Sequence, residues 1–221
     1  HARQRLTLAE PDVSDLQALG KDFPDVGAGV DQHQRRERAR FVPILLDRGE
    51  VGGGVRPTDG GQTRAAMKGA LLSSGATITT GPRARAVIIR GEEFVVISPH
   101  SQLRVPPAEA PNKIMQLIED FGTAVFKINK KSTPHFGVQT PFLAAVVKGT
   151  TFSVTVGPEG SSAQVTEGAV EVSTLDGGAS DLIEPGDIAM VGASDLYQLT
   201  VEGAEDKVIR SDEAPAAGAG R

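Results

Sequence analysis

The sequence predicts an all-β chain, a sandwich or short solenoid-like β domain preceded by a poorly ordered N-terminal segment. Three observations carry this expectation. Strand-like runs recur at short intervals between Gly and Pro turns, the spacing of a sandwich, barrel or short solenoid. Between Val138 and Val172, apolar side chains alternate with polar ones, so that successive residues of a strand point to opposite faces. Continuous alternation of strands with helical patterns is absent, which argues against a doubly wound parallel sheet.

Composition agrees. The chain has 221 residues, of which 39% are hydrophobic, enough for one core of modest size in one or two domains. Eight Phe, one Tyr and no Trp leave that core to Val, Ile, Leu and Ala. Twenty-six Gly and 14 Pro suit a turn-rich β protein. The absence of cysteine excludes disulfides, thiolate catalysis and cysteine metal sites. Net charge is −5 but uneven: residues 63–156 carry 11 basic and 5 acidic side chains, residues 157–221 carry 3 and 13. A basic and an acidic face for oppositely charged partners is one reading, and solvated strand faces are the simpler one.

The elements follow in chain order. Residues 1–66 read as largely irregular or linker. Ser14 or Asp15 caps a short helix through Leu19, with Gly20 as its stop. Asp31 to Arg40 is charged and almost free of apolar groups; without an aromatic to stack a base, its four Arg are no nucleic-acid site. Phe41 to Leu46 is a short buried strand, and Arg48 to Gly61 is a flexible linker by composition. From residue 67 to 203 a β domain is expected. Its strands are Ala76–Thr80, Ala84–Arg90, Glu93–Ser98 and Ser101–Val105, the last closed by Pro106-Pro107. Ile114–Asp120 fits either period, and its neighbours favour a strand over a helix. Ala124–Ile128 is a strand, and Phe136, Val138 and Thr140 alternate into Pro141. Phe152, Val154 and Val156 form the central strand, Gly157-Pro158-Glu159-Gly160 turns the chain, and Val165 opens a strand that Glu167-Gly168 interrupts before Val170. Asp181–Ile183, Ile188–Val191 and Tyr197–Val201 complete the set, with Glu184-Pro185-Gly186-Asp187 placed as a type II turn. Residues 204–221 are expected to be a flexible tail.

No constellation of catalytic residues emerges. His1, His33, His100 and His135 form no ligand pair such as HxH or HExxH. Gly52-Gly53-Gly54 lacks the Lys and Ser/Thr of a phosphate loop. Glu92-Glu93 and Glu119-Asp120 are adjacent carboxylates, which on a strand point to opposite faces and make no acid/base dyad. Neither a catalytic, a metal nor a cofactor site is therefore predicted, and no enzyme. A run of about 20 apolar residues would be needed to cross a membrane, and the longest here is Phe142 to Val147. A leader or anchor is expected, if at all, upstream of this sequence.

The central stretch resembles a known signature. Thr140-Pro141, Val146, Lys148-Gly149-Thr150, Phe152 and Val154 are similar to the T-P…V-R-G-T-x-F-x-V pattern of the FecR domain family, with Lys148 where that family usually has Arg. Val165, Glu167-Gly168, Val170 and Val172 resemble its next element, and the likeness extends over about Leu71 to Val201. The resemblance implies a periplasmic or secreted β domain of the bacterial cell envelope. Such a domain works by protein binding and signal transduction, in the best-known members between an outer-membrane siderophore receptor and a sigma factor. It implies a protein partner in the envelope or a cell-wall polymer, and no nucleic acid. The residues of the signature read as structural: Gly149 and Gly168 as corners, Phe152, Val154 and Val170 as core. A cupin-like or carbohydrate-binding β module, or a structural segment of a surface protein, is the alternative.

Overall fold

A computed structural model describes residues 41–45, 56–59, 62–63, 70–73, 75–106 and 114–214. The expected helix ending at Leu19, the arginine-rich segment, Gly52-Gly53-Gly54 and the end of the tail lie outside the described residues. Within them every regular element is a strand. In order these are β1 (Phe41–Leu45), β2 (Arg56–Asp59), β3 (Gln62–Thr63), β4 (Ala70–Ser73), β5 (Thr77–Thr79), β6 (Ala86–Arg90), β7 (Glu93–Ile97), β8 (Gln102–Arg104) and β9 (Met115–Lys127). They continue as β10 (Phe136–Gln139), β11 (Leu143–Val147), β12 (Thr151–Gly157), β13 (Gly160–Glu167), β14 (Val170–Thr174), β15 (Ser180–Ile183), β16 (Ile188–Gly192), β17 (Asp195–Glu202) and β18 (Lys207–Arg210). The all-β class is as expected.

Hydrogen bonding follows two paths. A first sheet runs β4-β1-β6-β7-β9-β12-β13-β16-β17-β18. A second runs β3-β2-β5-β8-β9-β10-β11-β14-β15. Every pairing is antiparallel except that of β9 with β10. Strand β9 belongs to both sheets: Met115–Phe121 pairs with β8 and β10, and Gly122–Lys127 with β7 and β12. It bends at Gly122 (φ +99°), where the Ser101 side chain lies so close that a Cβ would stand 2.2 Å from its hydroxyl. The same hydroxyl accepts from the Thr123 amide at 3.0 Å.

The two sheets close over one core. Strand β12 has the pattern expected of it, with Phe152, Val154 and Val156 buried and its alternate positions half-exposed. Phe126 of β9 stacks on Phe152 at 4.9 Å and meets Phe136 at 6.0 Å, so three of the few aromatics sit together. Across the core, β14 packs on β17 and β11 on β13.

Three boundaries differ from expectation. Ile114–Asp120 and Ala124–Ile128 are one 13-residue strand, because the bend at Gly122 turns the chain without breaking its pairing. Arg56–Asp59, inside the expected linker, pairs with β5. Lys207–Arg210, inside the expected tail, pairs with β17, where Ile209 adds to the core.

Candidate functional site

Lys148-Gly149-Thr150 and Glu167-Gly168 lie where the chain passes from one sheet to the other, while Thr140-Pro141 lies at the other end of β11. Thr140 is buried and organises the turn between β10 and β11. Its hydroxyl accepts from the amides of Phe142 (3.1 Å) and Leu143 (2.9 Å), while its own amide donates to the Leu143 carbonyl at 2.9 Å. Pro141 stands exposed at the tip of that turn. Lys148-Gly149-Thr150 carries the chain from β11 in the second sheet to β12 in the first. Glu167-Gly168 carries it back from β13 to β14. The two crossings touch. A Cβ on Gly168 (φ +81°) would lie 2.7 Å from the Gly149 carbonyl oxygen and 2.8 Å from the Thr150 methyl group. One on Gly149 (φ +152°) would lie 2.2 Å from the Cα of Lys130. Only glycine permits backbone to approach backbone this closely. Thr150 is buried, and its carbonyl accepts from the Ile128 amide at 3.0 Å. Phe152, Val154 and Val170 are in the core, while the Lys148 and Glu167 side chains are exposed.

Titratable groups meet at one place. Glu93, buried at the start of β7, takes Arg90 Nη2 at 2.6 Å and Nε at 3.1 Å on one oxygen. Its other oxygen lies 2.7 Å from His135 Nε2 and 3.8 Å from Lys131 Nζ. Arg90 also reaches the Met115 sulfur and lies over the Phe136 ring. Burial alone would raise the Glu93 carboxyl. The bonds from Arg90 and His135, with the charges of Arg90 and Lys131, outweigh it and hold the group below its usual range. A carboxylate so neutralised is a poor base, and the cleft beside it has room for about one water. The cluster is a strut joining the β6–β7 hairpin to the entry of β10. No local pattern in the sequence points to this contact, since Glu93 and His135 stand 42 positions apart. His100 is exposed in the β7–β8 turn with φ +52°. Among the described residues no three His, Asp or Glu groups converge as metal ligands.

The remaining distinctive surface is the open end of the sandwich. Among the described residues β15 and β18 are the last strands of their paths, each paired there on one side only. Lys207 Nζ of β18 contacts Asp181 Oδ2 of β15 at 3.3 Å, and the Ser211 hydroxyl donates to Asp176 Oδ2 at 2.5 Å, so the two edges lie side by side. Four exposed apolar side chains belong to this end: Leu175 (46%), Leu182 (56%), Leu196 (44%) and Val208 (65%). Leu182 and Val208 sit on the edge strands themselves.

The described strands thus form two sheets that share β9 and close over one largely aliphatic core, with a glycine-locked double crossing between them. Residues 76–171 match the family model described as FecR protein. The match takes in every signature residue from Thr140 to Val170 and ends one residue before Val172. Two crystal structures of a protein proposed to be an anti-sigma factor, from Parabacteroides distasonis, are similar at 20% identity and a TM-score of 0.48. The likeness covers 62% of this chain, which spans 60% of the length of theirs. Comparison with curated proteins gives no match. No described helix is long and apolar enough to cross a membrane.

Proposed function

We propose that this chain is a non-enzymatic, extracytoplasmic FecR-like module that senses by binding a protein in the bacterial cell envelope. The FecR match over residues 76–171 is the observation that carries the reading. Its place in the periplasm or outside the cell, its part in envelope signalling and iron uptake as its setting rest on that family. The open end supports how binding works. An extended segment of a partner adds to β15 or β18 by backbone hydrogen bonds, which need no special side chains, and Leu182 or Val208 supplies an apolar contact.

The test places a photo-reactive side chain at position 182 or 208, with position 92 as control, and illuminates the protein with its own envelope fraction. A defined protein adduct at the edge positions, lost in a Leu182→Lys or Val208→Lys background, is expected. Equal labelling at position 92 sinks the edge reading. Stoichiometric metal or selective binding of a glycan would instead favour the cupin-like or carbohydrate-binding alternative. A cell-wall polymer as ligand would appear as retention on isolated cell wall that the same lysine variants abolish. In the genome, a sigma-factor gene and an outer-membrane receptor gene beside this one would support the signalling role.

A further inference from the structure

We propose that Glu119 couples this fold to pH, keeping the second sheet closed while its carboxyl holds a proton and loosening β8 and β9 when the proton leaves. Glu119 has no exposed surface, and neither carboxylate oxygen has a hydrogen-bond partner. Among the described residues it is the one acidic member of the fully buried large side chains. A buried ionised carboxylate without a partner is far costlier than a neutral one, so the group stays protonated in the folded protein.

The geometry explains why it points inward. Glu119 lies opposite Leu103, and Phe121 lies opposite Gln102, which leaves Asp120 as the extra residue of a bulge in β9. Asp120 is fastened on the outer face by Arg104 Nε (2.7 Å), Arg104 Nη2 (2.6 Å) and Gln102 Nε2 (2.8 Å). Fixing Asp120 outward fixes its neighbour inward, since adjacent side chains of a strand take opposite faces. Phe121 is left 43% exposed two residues away. Leu117, two residues back on the same face of β9, and Leu103, opposite on β8, are buried and apolar; the buried Thr140 follows the last β10 residue paired with β9, and its hydroxyl is taken up by its own turn. Asp120 and Arg104, beside it on β9 and β8, are committed to each other on the outer face, and burial raises the Glu119 carboxyl well above the ordinary 4.5.

The sign follows. Because the folded state holds the proton more tightly than the unfolded chain, stability is full below the ordinary glutamate range. It falls as pH rises through that range toward the raised folded value. The domain is thus strongest in mild acid, and the region that weakens is the bulge between β8 and β9.

The experiment compares the wild-type chain with Glu119→Gln and Glu119→Met by thermal unfolding between about pH 5 and about pH 8. The wild-type midpoint should fall by roughly 3–5 °C per pH unit relative to either variant, until the acid ionises. The comparison cancels the other groups that titrate, Glu93 included. Parallel slopes would overturn the proposal. Amide exchange of wild type supplies a second readout, needed if neither variant folds. Exchange in residues 102–104 and 116–121 should accelerate with pH beyond that of β12 and β13, and a uniform response would also overturn the proposal. Neither readout depends on the binding partner.

Discussion

At the scale of single residues, the signature is a matter of space. Gly149 and Gly168 let two crossings share one volume, so Gly149→Ala should cost about 2–4 kcal/mol by forcing a side chain into the Lys130 backbone. Chemical denaturation measures this, and an unchanged midpoint would mean the crossings sit farther apart. Lys148, by contrast, projects into solvent, so Lys148→Arg should leave stability unchanged within about 0.5 kcal/mol. Phe152→Ala removes the stacking partner of Phe126 and should cost about 3–5 kcal/mol in the same assay. Glu93 adds an acid limb. Its folded carboxyl is held below 4.5, so the stabilisation is present above the ordinary range and is lost as pH falls through the lowered folded value. A Glu93→Gln variant should therefore be less stable than wild type at neutral pH and approach it in acid, as read by unfolding midpoints. The corners and the core positions were legible because glycine and alternation have local causes. The Glu93–His135 contact was not, since it is made by residues far apart in the chain. Nor was the burial of Glu119: alternation puts it on the face of Leu117, but a glutamate beside an aspartate reads as a solvated position.

At the scale of elements, most strands lie where alternation and turn residues put them. Gly186 has φ +98° and the Asp187 amide donates to the Glu184 carbonyl at 3.0 Å, as a type II turn requires. Reading failed where an element is defined by its partners. Met115–Lys127 looked like two pieces because its buried face changes sheets at Gly122, which breaks a single period. Lys207–Arg210 looked like tail because an edge strand with Lys and Arg carries little apolar signal, a composition that also guards edges against unwanted pairing. Its role is testable by truncation after residue 203. The shortened chain should unfold at lower denaturant and self-associate in light scattering, because β17 then becomes a naked edge. A monomer of unchanged stability would reduce β18 to an ornament.

At the scale of the whole molecule, both sheets share β9 and one core, so the described strands should unfold in a single transition by fluorescence-independent probes such as circular dichroism and amide exchange alike. Two separated transitions would show that the sheets are independent. The sharing of β9 also has a consequence for synthesis. A ribosome releases this chain from the N-terminal end, and β7 and β8 each find a partner in β9 that emerges later. β9 in turn waits for β10 and β12. Through that interval the nascent chain presents unpaired strand edges, the state in which aggregation competes with folding. A chain built this way is suited to being held open by a chaperone until residue 157 is out, and then to closing both sheets at once around the strand they have in common.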